Sequence, residues 1–167
     1  NKTNLSEILS SDIEKHIYEY KLSVKQKNES KKLNEKIVEY IKLKVIKDVN
    51  AEQILTLAVG CQVMLTTNIN VEHGLINGSR GIITCFEGGF PIVKFVNGIE
   101  EKITRHVWNF DEDIVEIGYS QIPLILGYAF TIHKSQGTTI DYVETDIGDS
   151  IFEYGQAYVA LSRVRKL

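Results

Sequence analysis

Seven hydrogen-bonding side chains crowd into the nine positions 131–139: Thr131, His133, Lys134, Ser135, Gln136, Thr138 and Thr139, with Gly137 among them. They follow an apolar run that begins at Pro123 and would anchor them to a core. Small hydroxyls, an amide and a glycine that lets the backbone approach closely suit contact with a nucleotide or a sugar–phosphate chain. An ordinary polar loop after a buried segment has the same composition. Both readings stand on composition alone.

A second cluster reads Gly155-Gln-Ala-Tyr-Val-Ala-Leu-Ser-Arg-Val-Arg165. Small and apolar residues at helical spacing end in two arginines, with Ser162 beside the first. Arginine keeps its charge and can fork two donors onto phosphate oxygens. Held by a packed helix, Arg163 is placed to act as an arginine finger on a triphosphate bound by another domain. The plainer alternative is a cationic helix end that complements the helix dipole.

Other chemistry is missing from the sequence. It has no Gly-x-x-x-x-Gly-Lys-Ser/Thr loop to cradle a triphosphate, no glycine-rich dinucleotide fingerprint and no nucleophile elbow. His16, His73, His106 and His133 are scattered, and Cys61 and Cys85 lie outside any Cys-x-x-Cys pair, so no metal site is expected. The two cysteines suit a reducing, intracellular setting. Nucleus, cytoplasm and a viral replication site are not distinguished.

The elements that must position these clusters change character along the chain. Residues 1–20 place Leu5, Ile8, Leu9, Ile13, Ile17 and Tyr20 at helical spacing. Residues 21–27 alternate as a short strand. Leu33, Ile37, Tyr40 and Ile41 predict a helix over 29–47, with Asn28 as its N-cap. From residue 54 onward, β-formers fall in short runs at 54–57, 62–67, 82–86, 91–96 and 99–107. Gly88-Gly89 and the hairpin signal Asn97-Gly98 separate the later ones. Such spacing predicts a small antiparallel barrel over residues 60–118. Residues 142–147 read as a strand and 154–164 as a helix, while 124–132 fit either. The fold class is α/β, an α/β layer interrupted by a β-barrel.

With 167 residues, 43% hydrophobic and 25% charged, the chain can bury a core without staples. No apolar run reaches the 18 or so residues that cross a bilayer, so no membrane partner is expected. The first residue is Asn, as expected of a piece of something longer. The net charge of −3 hides an asymmetry, because residues 21–47 carry nine Lys against three Glu, a local balance of +6. That segment can contact phosphates, or it can be a helix with a solvated lysine face. Trp108 and Phe110 can stack on bases if exposed, although such residues more often fill a core.

Taken together, the two clusters resemble a known family. Ala129-Phe-Thr-Ile-His-Lys-Ser-Gln-Gly137, followed about twenty residues later by Gln156-Ala-Tyr-Val-Ala-Leu-Ser-Arg163, resembles motifs V and VI of superfamily-one DNA helicases. The similarity is to the PIF type (petite integration frequency), related to RecD-like enzymes. Val59-Gly-Cys-Gln-Val-Met-Leu65, with Asn68 and then Leu75-Ile-Asn-Gly-Ser-Arg-Gly81, resembles the entry to that family's barrel insertion, and Gln121-Ile-Pro-Leu124 its exit. Residues 24–37 are similar, less specifically, to motif IV.

The resemblance implies a partial second RecA-like helicase domain carrying a small antiparallel barrel of the Src-homology-three type. Residues 1–59 would be the N-terminal part, with the motif IV region at 20–47. Residues 60–118 would be the barrel and 119–167 the C-terminal part. It implies an upstream RecA-like ATPase domain holding ATP and Mg2+, with single-stranded DNA and DNA junctions as partners and translocation from 5′ to 3′. Arg163 matches the catalytic arginine finger, and Gln136 and Gly137 would join it in nucleotide binding. Thr131, His133, Lys134, Ser135 and Asn68 would contact DNA. Gln156 and Tyr158 would position the motif VI helix. The sequence departs from the family pattern at Tyr119-Ser120-Gln121, where an arginine often precedes the Gln. A rival reading from another class is a non-catalytic module that binds nucleic acid or protein.

Overall fold

A computed structural model describes residues 14–27, 35–49, 51–113, 115–128 and 155–162. The chain divides into two compact units, Asn1–Gly127 and Tyr128–Leu167. Ten strands and one helix are described in the first, and one short helix in the second.

The first unit is mostly β. Strands β4 (Gln62–Leu65), β5 (Arg80–Glu87), β6 (Phe90–Phe95), β7 (Glu100–Lys102) and β10 (Leu124–Leu126) form an antiparallel sheet in the order β10-β4-β5-β6-β7. Strands β2 (Lys21–Gln26), β8 (His106–Asp111) and β9 (Val115–Gln121) form a second sheet, with β9 in the middle. Strands β1 (Lys15–Glu19) and β3 (Ile54–Ala58) make a two-stranded ribbon. Helix α1 spans Glu35–Asp48.

Two separate cores hold these layers. In the first, Tyr18, Leu55 and Leu57 of the ribbon pack with Val63, Leu65, Ile83, Val93 and Phe95 of the five-stranded sheet and with Ile103, Ile122 and Leu124. In the second, Ile41 and Val45 of α1, with Val49, cover Val115, Ile117 and Tyr119 of β9. The five-stranded sheet is open among the described residues, with β10 and β7 at its edges. The ribbon covers its inner face through side-chain packing.

Local sequence accounts for the turns. Gly88 and Gly89, at φ 59° and 78°, join β5 to β6, and Gly98, at φ 89°, serves the β6–β7 hairpin. These are left-handed conformations in which a side chain would be strained. Gly81 answers a different need. A Cβ there would lie 2.6 Å from Val93 Cγ1 and 2.7 Å from the Lys94 carbonyl oxygen.

Two expectations are corrected. Within the helix expected over residues 1–20, Lys15–Glu19 is a strand, paired with β3 in the register His16↔Leu57 and Tyr18↔Leu55. The sequence His-Ile-Tyr-Glu-Tyr is β-branched and aromatic, and it buries Tyr18 while leaving Ile17 exposed. The single strand expected over 99–107 is two, because the chain leaves the first sheet at Ile103 and enters the second at His106. Residues 5–13, Asn28 and 142–147 lie outside the described residues.

Candidate nucleic-acid interface

Of the residues expected to touch DNA or nucleotide, Asn68 lies in the described structure. It sits in the loop between β4 and β5, and its Oδ1 accepts the Asn77 backbone N–H at 2.8 Å. That side chain therefore pins one arm of the loop to the other. The loop is held throughout. Asn70 and Leu75 exchange backbone bonds, with Leu75 N–H donating at 2.8 Å, and Asn70 Oδ1 accepts His73 N–H at 3.2 Å. Ser79 Oγ donates to the Gly74 carbonyl at 3.1 Å, and Asn97 Nδ2 reaches the His73 carbonyl at 3.0 Å. Gly74 and Gly78 take positive φ at its bends. Leu75 is fully buried and roots the loop in the first core, whereas Ile69, Val71 and Ile76 remain exposed. The result is a preformed projection with an asparagine-rich, partly apolar surface.

Thr131, His133, Lys134, Ser135, Gln136, Gly137 and Arg163 lie outside the described residues. The helix leading to Arg163 is described as α2, Gln156–Leu161. Gly155 precedes it at φ 85°, and Val159 N–H closes its first turn onto the Gly155 carbonyl at 2.9 Å. At the other end, Ser162 Oγ donates to the Val159 carbonyl at 3.0 Å. The serine beside the arginine thus ties itself to its own helix, and Tyr158 is exposed.

Two lysines of the segment 21–47 pair with acids of the β8–β9 hairpin, and a third faces one across the sheet. Lys27 forms an ion pair with Asp111, and Lys44 Nζ donates to Glu112 Oε1 at 3.0 Å. Lys25 faces Glu116 across the β2–β9 pair. The hydrogen bond and negative charge of Glu112 hold the Lys44 ammonium pKa above its ordinary value. These lysines form a surface matched to acids of the same unit, which favours the solvated-face reading over a phosphate track. Trp108 and Phe110 are part-buried against the second core, and Trp108 meets Tyr119 edge-on at 6.1 Å between ring centroids.

No role follows from the sequence for Arg105, and for Gln121 only its place at the head of the segment Gln121-Ile-Pro-Leu124 that resembles the family's barrel exit. Gln121 is fully buried. Its Nε2 donates to the carbonyls of Tyr18 at 3.0 Å, Glu52 at 2.9 Å and Gln53 at 3.2 Å, and its Oε1 accepts Ile122 N–H at 2.9 Å. Arg105 Nη1 donates to the Ser120 carbonyl at 3.2 Å and Nη2 to the Glu19 carbonyl at 2.9 Å. The available signal was a lone amide at the head of the apolar run Ile-Pro-Leu-Ile-Leu.

Among known proteins, the likeness is to Pif1 helicases. Residues 43–86 match the family model described as DNA helicase Pif1, 2B domain. The ATP-dependent DNA helicase PIF1 of Danio rerio is 46% identical over 119 residues, taking in 69% of this chain and 18% of that protein. The crystal structure of Pif1 helicase from Candida albicans is similar with a TM-score of 0.75 at 28% identity, covering 98% of this chain and 40% of that one. A structure of two coordinating Pif1 helicases unwinding forked double-stranded DNA gives a TM-score of 0.66 at 31% identity, covering 99% of this chain and 35% of that one. The chain thus spans about a fifth of the length of the zebrafish relative.

Proposed function

We propose that this chain is the C-terminal part of an ATP-dependent DNA helicase that couples ATP hydrolysis to 5′–3′ movement on single-stranded DNA and to duplex unwinding. The observation that carries this reading is the spaced pair Ala129 to Gly137 and Gln156 to Arg163, in a chain that also holds a Pif1 2B match. A binding module has no use for the motif VI arginine that Arg163 resembles. The unit around the five-stranded sheet would be the barrel of Src-homology-three type, with the ribbon as its closing wall. The remainder would be a partial RecA-like domain.

In this reading ATP and Mg2+ are held by an upstream RecA-like domain, because the chain has no phosphate loop of its own. Arg163 supplies positive charge to the transferring phosphoryl group when the domains close. Gln136 and Gly137 line the nucleotide side. Thr131, His133, Lys134 and Ser135 hold the sugar–phosphate chain, with Asn68 contributing from the β4–β5 loop. His133, Lys134 and Ser135 directly precede Gln136 and Gly137, which would link DNA grip to nucleotide state through one short segment.

The test is ATP hydrolysis by the intact protein, with and without single-stranded DNA, beside its Arg163→Ala variant. DNA-stimulated turnover that collapses in the variant while DNA binding holds is the expected result. DNA binding without hydrolysis in the unmodified protein would make it a binding scaffold and overturn the proposal.

A further inference from the structure

The first unit has two cores, and among the described residues the chain crosses between them at four places. It passes from β1 to β2 at Tyr20, from α1 to β3 through residues 49–53, from β7 to β8 through 103–105 and from β9 to β10 through 122–123. Every crossing meets or supplies one of two side chains, Gln121 and Arg105. Tyr18 and Glu19 offer carbonyls from the first, Glu52 and Gln53 from the second, and the third supplies Arg105 itself. The fourth supplies Gln121, the Ser120 carbonyl and the Ile122 N–H.

We infer that Gln121 and Arg105 form a clasp that makes the two cores hold and yield as one body. The chemistry suits the task. An amide in a fully buried position has two hydrogens, and here they serve three carbonyls from two crossings, one hydrogen being shared. The guanidinium fork adds two more carbonyls from different strands. Glu52 and Gln53 lie outside the strands, and Tyr18, Glu19 and Ser120 lie at or next to strand ends, where leaving a buried carbonyl unpaired is costly. Tyr20 N–H donates to the Gln53 carbonyl at 2.9 Å, a backbone bond between the first two crossings beside the clasp. Apolar packing resists separation of two surfaces but sets their angle loosely. Directional bonds to β1, to β9 and to the 52–53 segment fix it. Both residues are positioning residues. If the chain is part of a motor, as proposed above, the clasp keeps the β4–β5 loop in step with the helix-covered sheet.

The chain carries its own reporters. Trp108, its single tryptophan, lies against the second core, and Cys61 is fully buried in the first. With the exposed Cys85 changed to Ser, urea unfolding of the 167-residue chain can be followed by Trp108 fluorescence and by Cys61 thiol labelling. The two transitions should coincide in that background, as for one cooperative unit. They should separate by about 0.5 M urea or more in Gln121→Leu and in Arg105→Met. Should Gln121→Leu fail to fold, Arg105→Met decides, and Arg105→Lys should restore part of the coincidence. Transitions that shift together and stay coincident in Arg105→Met would overturn the clasp. In the intact protein, Arg105→Met should unwind fewer base pairs per ATP while DNA-stimulated hydrolysis continues. Absence of hydrolysis in the unmodified protein would remove the motor reading and leave the unfolding result to stand by itself.

Discussion

Arg163 and Lys134 carry different consequences for the proposed motor. An arginine finger is worth on the order of 10³–10⁵ in rate, so Arg163→Ala should lose at least about a thousandfold in DNA-stimulated turnover, with little change in melting temperature. A fall of many degrees would make Arg163 structural. Lys134 is assigned to the phosphate track. Its replacement by Ala should weaken single-strand binding and flatten the salt dependence by roughly one unit of slope or less, read from titrations at several salt concentrations. An unchanged slope would remove Lys134 from the track. Tyr18 offers a test independent of function. Burial pushes its phenol up to about 12, and its hydroxyl donates to the Gly89 carbonyl at 2.8 Å. Between pH 10 and 12 the unfolded chain releases this proton while the folded chain keeps it, so stability should fall as pH rises through that window. Tyr18→Phe should flatten this part of the pH–stability curve.

Strands and their seams explain what the sequence made legible. Alternation and the Gly88-Gly89 turn marked β5 and β6, which bury alternate residues over much of their length, while β2 showed through the spacing of Leu22 and Val24 and β4 through its apolar run. The pattern failed at β1, where Ile13, Ile17 and Tyr20 fit helical spacing as well as they fit a strand whose partner lies some forty residues away. It also could not show where the chain changes sheets, since Ile103 is as apolar as a strand residue and the break at 103–105 depends on Arg105 finding Glu19 and Ser120. Motif spacing is the basis of the proposed site at 129–137 and 156–163, while the pinning role of Asn68 depends on Asn77, nine residues further on. A prediction belongs at this scale. A Cβ at Gly118 would sit 2.5 Å from Ser23 Oγ on the neighbouring strand. Gly118→Ala should therefore cost about 1–3 kcal/mol, and adding Ser23→Ala should recover much of it, a coupling that a double-mutant cycle on urea midpoints would show.

At the scale of the molecule, the acidic balance and the internally paired lysines argue that DNA is not held by a general electrostatic coat. Lys25, Lys27 and Lys44 face Glu116, Asp111 and Glu112 of the same unit. Grip on DNA would instead be concentrated in a few groups of the segment 131–135 and the β4–β5 loop, and switched by nucleotide through the neighbouring Gln136 and Gly137. In the proposed motor the 167 residues would hold the finger without the pocket it serves, so the chain alone should be catalytically silent.

Strand separation tests that claim most directly. On a forked duplex with a 5′ single-stranded tail, the intact protein should separate the strands when ATP is added. Its Arg163→Ala variant should bind the fork and leave it paired, and the 167-residue chain alone should neither hydrolyse ATP nor open the duplex. Unwinding that survives Arg163→Ala, or ATP hydrolysis by the isolated chain, would contradict the account.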